Sequence, residues 1–214
     1  KTIHDRINNL HPYPISLYQV HNPLSFSSIE RQMDNMASLW IKGMIKNVGV
    51  CNFSAKQMRV AWEALSWYGI PLASNQVRYN LIDRRIETNG VLDTAKELGV
   101  SIIASSPLAQ GILTGKFHKN PEKLDGVGLR KYSDKFSQTE LKKCEKLISL
   151  IGSLAVKYNV TSSQVALNWL IGKGVFVIPG ATTVKQAEEN AGAMNFTLSK
   201  WDMGILDRES KIFT

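Results

Sequence analysis

The chain has 214 residues, of which 43% are hydrophobic and 21% charged, and its net charge is +8. That is an ordinary globular composition, and no apolar run approaches the roughly 20 residues of a membrane-spanning helix. The basic residues, among them Lys42, Lys46, Arg59, Arg78, Arg84, Arg85, Lys116, Lys142 and Lys143, are scattered. They read as solvated surface charge and argue against nucleic acid, which needs clustered cations with interleaved aromatics; an anionic ligand such as a phosphate-bearing cofactor remains compatible. The two cysteines, Cys51 and Cys144, have no paired spacing, and no His/Cys cluster suggests a metal. Reduced thiols in a cytosol-like compartment follow.

The chain opens with KTIHDRINNL, which lacks an initiator Met and the apolar core of a signal peptide. It reads like the middle of a helix, so residues are expected to precede it. PISLYQV, about residues 14–20, is the first β-prone run and stops at His21-Asn22-Pro23. SSIERQMDNMASLWIKG then carries Ile29, Met33, Met36 and Trp40 at helical spacing. IKNVGVC (45–51) is the second strand. SAKQMRVAWEALSWYG is the next helix, with Met58, Trp62 and Leu65 on one face and a capping box at Ser54 and Gln57. PLASNQV (71–77) and VSIIA (100–104) are the third and fourth strands. The gap from about 107 to 174 holds a polar loop and two helices, SQTELKKCEKLISLIGSLAVKYN and TSSQVALNWLIGKG; the first is extra to the repeat. VFVI (175–178) is the fifth strand. Capping boxes are also expected at Thr161 with Gln164 and Thr183 with Gln186, left-handed helix closures at Gly69, Gly99 and Gly174, and a closing helix over Trp201–Arg208.

The first four strands start about 30 residues apart, the spacing of strand–helix–strand units with parallel pairing. Five units do not close a (β/α)8 barrel, and three more would add roughly 90 residues. The expectation is an α/β fold, a (β/α)8 TIM barrel of which this chain carries the last five β/α units plus an extra helix and a C-terminal helix. Residues 1–214 then form a single domain lacking the first three units. The alternative is an open, doubly wound five-stranded sheet; against it, His21-Asn22-Pro23 stands where a Gly-rich phosphate turn would be.

Barrel chemistry sits at the C-terminal ends of strands. There the chain places His21; Cys51, Asn52 and Ser54; Asn75, Gln76, Arg78 and Tyr79; Ser105, Ser106 and Pro107-Leu108-Ala109-Gln110-Gly111; and Pro179-Gly180-Ala181-Thr182-Thr183. No carboxylate pair suits glycoside hydrolysis, and no GxSxG elbow is present. Asn and Gln amides suit a planar amide partner. A capped helix start at Thr183, with Lys185 beside it, suits a phosphate. A nicotinamide dinucleotide has both ends. Each feature also has a plain structural reading, a strand-end hydrogen-bonder or a helix cap, so only their joint placement carries the inference.

In order and spacing, LYQVHNP, GVCNFS, NQVRYN, SSPLAQGILTGK and IPGATTVKQAEEN resemble the aldo-keto reductase family. The resemblance runs from about Pro14 to the closing helix. It is closer to the long-loop bacterial and plastid-type members and the potassium-channel β subunits than to the aldose-reductase branch. It implies a barrel that binds NADPH in an extended pose and reduces an aldehyde or ketone, hydride going to the carbonyl carbon and a tyrosine delivering the proton. His21 matches the histidine that orients and polarises the substrate carbonyl. Asn52 and Gln76 match the residues holding the carboxamide, with Cys51 where serine is usual. Pro107, Leu108, Gln110, Gly111 and Lys116 match the turn along the pyrophosphate, with Ser105 and Ser106 before it also counted as cofactor-binding; Gly180, Thr182, Gln186, Glu189 and Asn190 match the adenosine end.

Three departures qualify the implication. Ser105 stands where an aromatic usually stacks on the nicotinamide, a loss of roughly 1 kcal/mol by the scale of aromatic pairs. Thr182-Thr183 stand where a basic residue is usual, with Lys185 as the candidate substitute. The family's catalytic Asp, Tyr and Lys precede the segment that begins here. The chain is thus expected to supply the cofactor half of a cytoplasmic or plastid-stromal reductase, with no membrane or nucleic-acid partner and an open oligomeric state. The rivals are a non-catalytic, cofactor-sensing regulatory subunit and an inactive truncated remnant. Substrate choice falls to loops, including the stretch 117–137, where Arg130 and Lys131 are candidates to approach phosphates.

Overall fold

The computed structural model describes residues 2–120, 122 and 136–214. Strands and helices alternate through the first part: α1 Ile3–Leu10, β1 Tyr18–Val20, α2 Ile29–Ile41, β2 Val48–Cys51, α3 Ala55–Ser66, β3 Leu72–Arg78, α4 Val91–Leu98 and β4 Ser101–Ser105. The remainder is mostly helical: α5 Lys116–Lys119, α6 Gln138–Lys143, α7 Glu145–Tyr158 and α8 Ser162–Gly172, then β5 Phe176–Val177, α9 Val184–Ala191 and α10 Lys200–Glu209. The five strands lie side by side in chain order. β1 runs parallel to β2 with Tyr18 opposite Val48, and β2 runs parallel to β3 with Cys51 opposite Gln76. Parallel neighbours need crossovers, and the helices supply them.

Every strand overlaps its expected apolar run: β1 and β2 keep only the C-terminal ends of theirs, β3 and β4 keep the length shifted by one residue, and β5 keeps the two middle residues. Pro14 enters the first run, and Ile15 and Ser16 are tied by single bonds outside the ladder: Lys46 N–H to the Ile15 carbonyl (3.0 Å) and Asn47 Nδ2 to the Ser16 carbonyl (2.8 Å). In β2 the register slips between Val48 and Gly49. Gly49 admits a close approach there, because a Cβ on it would lie 2.4 Å from Ser74 Oγ.

Helix starts follow the capping chemistry with two differences. Ser54 with Gln57 and Thr161 with Gln164 form complete capping boxes, and so does Thr2 with Asp5. KTIHDRINNL, expected to read as mid-helix, therefore contains a capped helix start. The Thr183 hydroxyl accepts from Gln186 N–H, but Gln186 Oε1 turns to Thr182, accepting from its N–H at 2.7 Å and its hydroxyl at 3.0 Å. That is one half of a box; the other half braces the preceding residue. Gly69, Gly99 and Gly174 all take positive φ. The extra helix is two, because the chain turns at Cys144, whose N–H bonds back to the carbonyls of Glu140 and Leu141.

The chain resolves into two compact units. The first, Lys1–Val77 with Ile86–Ile103, contains β1 and β2 and packs Met33, Met36 and Ala37 of α2 and Met58, Ala61 and Leu65 of α3 into its core. Trp40 and Trp62 on the same helices are partly exposed, at 38% and 37%. The second, Arg78–Arg85 with Ala104–Thr214, is built around α8, whose Val165, Ala166, Leu167, Trp169 and Leu170 are all buried. Trp169 is fully buried; its Nε1 donates to Asp207 Oδ1 at 2.9 Å, and Arg84 lies 5.4 Å from its ring centre.

Buried Asp202 ties α10 to α7 in the same unit. Lys157 Nζ donates to both its oxygens (3.0 and 2.8 Å), while Tyr158 Oη (2.5 Å) and Ser199 Oγ (2.6 Å) donate to Oδ2. Burial alone would raise this carboxyl; the three donors and the Lys157 charge outweigh it and hold it at about 2.

Candidate functional site

Parallel strands in register bring their C-terminal ends to one edge of the sheet. In the first unit that edge carries the expected residues of β1, β2 and β3. His21 is exposed and directly follows Val20, which pairs with Val50. Cys51 ends β2, buried, opposite Gln76. Asn52 comes next with φ +60°, and its N–H donates to the Gln76 carbonyl at 2.9 Å, extending the ladder one residue past the strand. Asn52 is exposed, so its amide is open to a ligand. Asn tolerates this left-handed conformation better than most residues. Burial pushes the Cys51 thiol up, so it stays a neutral, weakly hydrogen-bonding group.

Asn75, also expected on this rim, has a structural part instead. It is fully buried, its Nδ2 donates to the Phe53 carbonyl at 2.9 Å and its Oδ1 accepts from Phe53 N–H at 3.4 Å. It braces the turn beyond Asn52 and leaves the accessible amides of the rim to Asn52 and the half-buried Gln76.

The second unit holds the rest. Ser105 ends β4 and its carbonyl accepts from Tyr79 N–H at 3.3 Å; the Ser106 carbonyl accepts from Asn80 Nδ2 at 2.9 Å. Beyond them the chain makes a turn with positive φ at Ser106 (+51°), Ala109 (+48°), Gln110 (+58°) and Gly111 (+96°). Only glycine adopts this region freely. A Cβ on Gly111 would lie 2.9 Å from Lys116 Cε, so the absent side chain leaves room for the lysine. The Thr114 hydroxyl donates to the Gly111 carbonyl at 2.8 Å and accepts from Lys116 N–H at 3.3 Å, setting where Lys116 leaves the turn.

This turn forms one wall of a cleft of about 740 Å³. Ser106, Pro107, Leu108, Gln110, Gly111 and Lys116 line it on that side, and Gly180, Thr182, Gln186, Glu189 and Asn190 on the side of β5 and α9. Of the expected cofactor residues in this unit, only Ser105 lies outside the lining. Thr114, Ser163, Ile178 and Pro179 also line it and were missing from the expected cofactor set. Ser163 is the least legible of these: it is a nearly buried polar residue in the first turn of α8, and its signal in the sequence is indistinguishable from that of the cap beside it.

Local bonds shape the second wall. Asn190 Nδ2 donates to the Gly180 carbonyl at 3.3 Å, and Gln186 braces Thr182. The helix start of α9 thus borders the cleft with Thr183 as its cap. Among the described lining residues Lys116 is the cation and Glu189 the carboxylate; Lys185 is exposed on α9 and is not one of them. Arg130 and Lys131 lie outside the described residues. A cleft with a backbone-rich turn, a lysine and a helix start, together with amides and a carboxylate, suits a ligand with both phosphate and sugar hydroxyls.

The described residues contain no group of three or more His, Cys, Asp or Glu placed to hold a metal. No helix among them is long and apolar enough to cross a membrane.

The comparisons with known proteins agree on one family. The model of the aldo/keto reductase family matches residues 1–211. Aldo-keto reductase str7 of Strobilurus tenacellus is 33% identical over 205 residues, covering 92% of this chain and 59% of its own length. The chloroplastic pyridoxal reductase of Arabidopsis thaliana is 36% identical over 178 residues, covering 83% of this chain and 47% of its own. The solved structure of the glycerol dehydrogenase AKR11B4 from Gluconobacter oxydans superimposes with a TM-score of 0.85 at 25% identity, over 99% of this chain and 63% of that one. The chain therefore spans about half to three fifths of the length of these relatives. Its parallel α/β sheet is that of the family's barrel, and the chain belongs to the aldo/keto reductase family.

Proposed function

We propose that the protein carries the cofactor-binding portion of an NADPH-dependent reductase of aldehydes or ketones. The observation that carries this reading is the joint lining of one cleft by residues from the turn after β4 and from the start of α9. When bound, the nicotinamide cofactor supplies the hydride. Asn52 and Gln76 present amide donors and acceptors to its carboxamide, with Cys51 a weaker neighbour. Backbone N–H groups of the turn and Lys116 bind its pyrophosphate. Gly180, Thr182, Gln186, Glu189 and Asn190 hold the adenosine end.

His21 serves as the catalytic residue on this chain, orienting the substrate carbonyl and stabilising the charge that develops on its oxygen. The aspartate, tyrosine and lysine that complete the family's set lie outside residues 1–214. NADPH is preferred over NADH, a choice supported by a relative from Schizosaccharomyces pombe whose name specifies NADP(+). The 214 residues form one domain that completes its barrel with three further β/α units, in the cytoplasm or a plastid stroma.

Titration with NADPH, read by cofactor fluorescence, tests this directly. A saturable change in the micromolar to millimolar range is expected, and Lys116→Gln weakens it about tenfold, the scale of one charge-assisted contact. A flat titration to millimolar cofactor sinks the proposal.

Ser105 favours a second reading, a cofactor-binding regulatory subunit without turnover. It provides no ring to stack on the nicotinamide and does not line the cleft. Robust reduction of a nitrobenzaldehyde by the pure chain would eliminate that reading.

A further inference from the structure

A second cleft, of about 520 Å³, lies in the same unit on the other side of the turn after β4. Ser106 and Gln110 belong to both linings, so this turn is a partition between two cavities. The second cleft shares none of the expected cofactor residues on β5 and α9. Its other walls come from the segment after β3, from α6 and from Phe213 and Thr214.

Its charges divide unequally. Asp83 is held by Arg85 in a two-pronged pair, Nε to Oδ1 at 2.8 Å and Nη2 to Oδ2 at 3.0 Å. Glu140 pairs with Lys143. Arg78 is exposed and, among the described residues, has no ion pair or hydrogen-bond partner for its guanidinium, although it stands at the end of a strand in the cleft lining. The surface behind it is apolar: Ile82, Ile112 and Phe213 line the same cavity, Ile112 almost completely buried. The partition itself holds three non-glycine residues in the left-handed region within five positions. Such conformations persist where the surroundings over-determine them, and they gather at ligand sites.

We propose that this cleft binds a small organic carboxylate with an aromatic or branched apolar body. The guanidinium fork of Arg78 takes the acid group in a two-pronged contact, as its geometry favours. The body lies against Ile82, Ile112 and Phe213. A cation at the mouth and an apolar floor select for that combination: a neutral body forgoes the ion pair, and a highly charged anion gains nothing from the floor. The site shares Ser106 and Gln110 with the cofactor cleft but not Lys116 or the residues of β5 and α9, and it stands whether or not that cleft binds NADPH.

Isothermal titration of the 214-residue chain with 1-naphthoate, and with neutral 1-naphthamide as its isostere, tests it. Arg78→Gln is expected to melt like the parent, since the Arg78 guanidinium has no partner among the described residues to lose, and to bind 1-naphthoate about tenfold more weakly, as for a lost charge-assisted hydrogen bond. Binding of 1-naphthamide should be weaker in the parent and unchanged by Arg78→Gln. Lys116→Gln should leave 1-naphthoate binding as it was. Three outcomes overturn the proposal: no heat with 1-naphthoate at millimolar concentration, equal affinity in the parent and Arg78→Gln, or loss of binding in Lys116→Gln instead.

Discussion

Ser105 and the residue after it show how much one position decides. Ser105 ends β4 with its backbone engaged by Tyr79, and its short side chain covers little of any ring laid beside it. A tyrosine there would supply the missing aromatic face. Ser105→Tyr is expected to tighten NADPH by about fivefold, the equivalent of about 1 kcal/mol of stacking. The fluorescence titration reads it; an unchanged or weakened affinity would mean that no nicotinamide ring comes to this position. The thiols illustrate the opposite case, residues set by burial alone. Burial, with Glu140 adding to it and Lys143 opposing, pushes Cys144 up to about 11, so it is a small core group at the bend between α6 and α7 rather than a nucleophile.

At the scale of elements, α10 is fastened to α7 by the carboxylate of Asp202. Its folded value of about 2 lies below the ordinary 3.8, so the protonated form favours the unfolded chain. The contribution is therefore complete above about pH 4 and disappears as the pH falls through about 2. It amounts to about 1–2 kcal/mol after allowing for solvent around the half-exposed Lys157. Urea unfolding at about pH 4 and about pH 2 should show this loss in the parent and not in Asp202→Asn, whose stability is already lower at neutral pH. A parallel fall in both proteins would assign the acid sensitivity to other groups. The α9 start makes a related point. Its hydroxyl cap is the expected one, yet Gln186 reaches one residue further back, and that small change stiffens Thr182 at the edge of the cleft instead of completing a box.

At the scale of the molecule, the sheet of the described residues ends at β1 and β5, which have three and two residues and are each paired on one side. An unpaired strand side is a template for another strand. The purified 214-residue chain, of 23.9 kDa, is expected to self-associate with rising concentration in sedimentation velocity. A single monomeric boundary at every concentration would show that the short end strands are protection enough.

Much of this is legible in the sequence alone. The five strand positions, the caps at Ser54 and Thr161 and the positive φ at Gly69, Gly99 and Gly174 are local matters, since a capping hydroxyl or a missing Cβ acts within a few residues. The residues of the two cleft walls were legible only as a resemblance spread over five motifs. The break at Cys144, Ser163 in the cleft lining and the left-handed Ala109 and Gln110 carried no local signal. They depend on what packs against them from distant parts of the chain, and alanine in particular does not choose that conformation by itself.

By itself, then, the amino-acid order determined the alternation of parallel strands and helices and the polar character of the strand ends, because periodicity and capping are encoded over a few neighbouring side chains. Only the tertiary structure decided that the turn after β4 divides two cavities, that Lys116 lines one while Lys185 is outside its lining, and that Arg78 stands uncompensated among the described residues beside the other. Those outcomes rest on which distant surfaces meet, and the meeting of surfaces is governed by packing and by the pairing of charges rather than by sequence spacing.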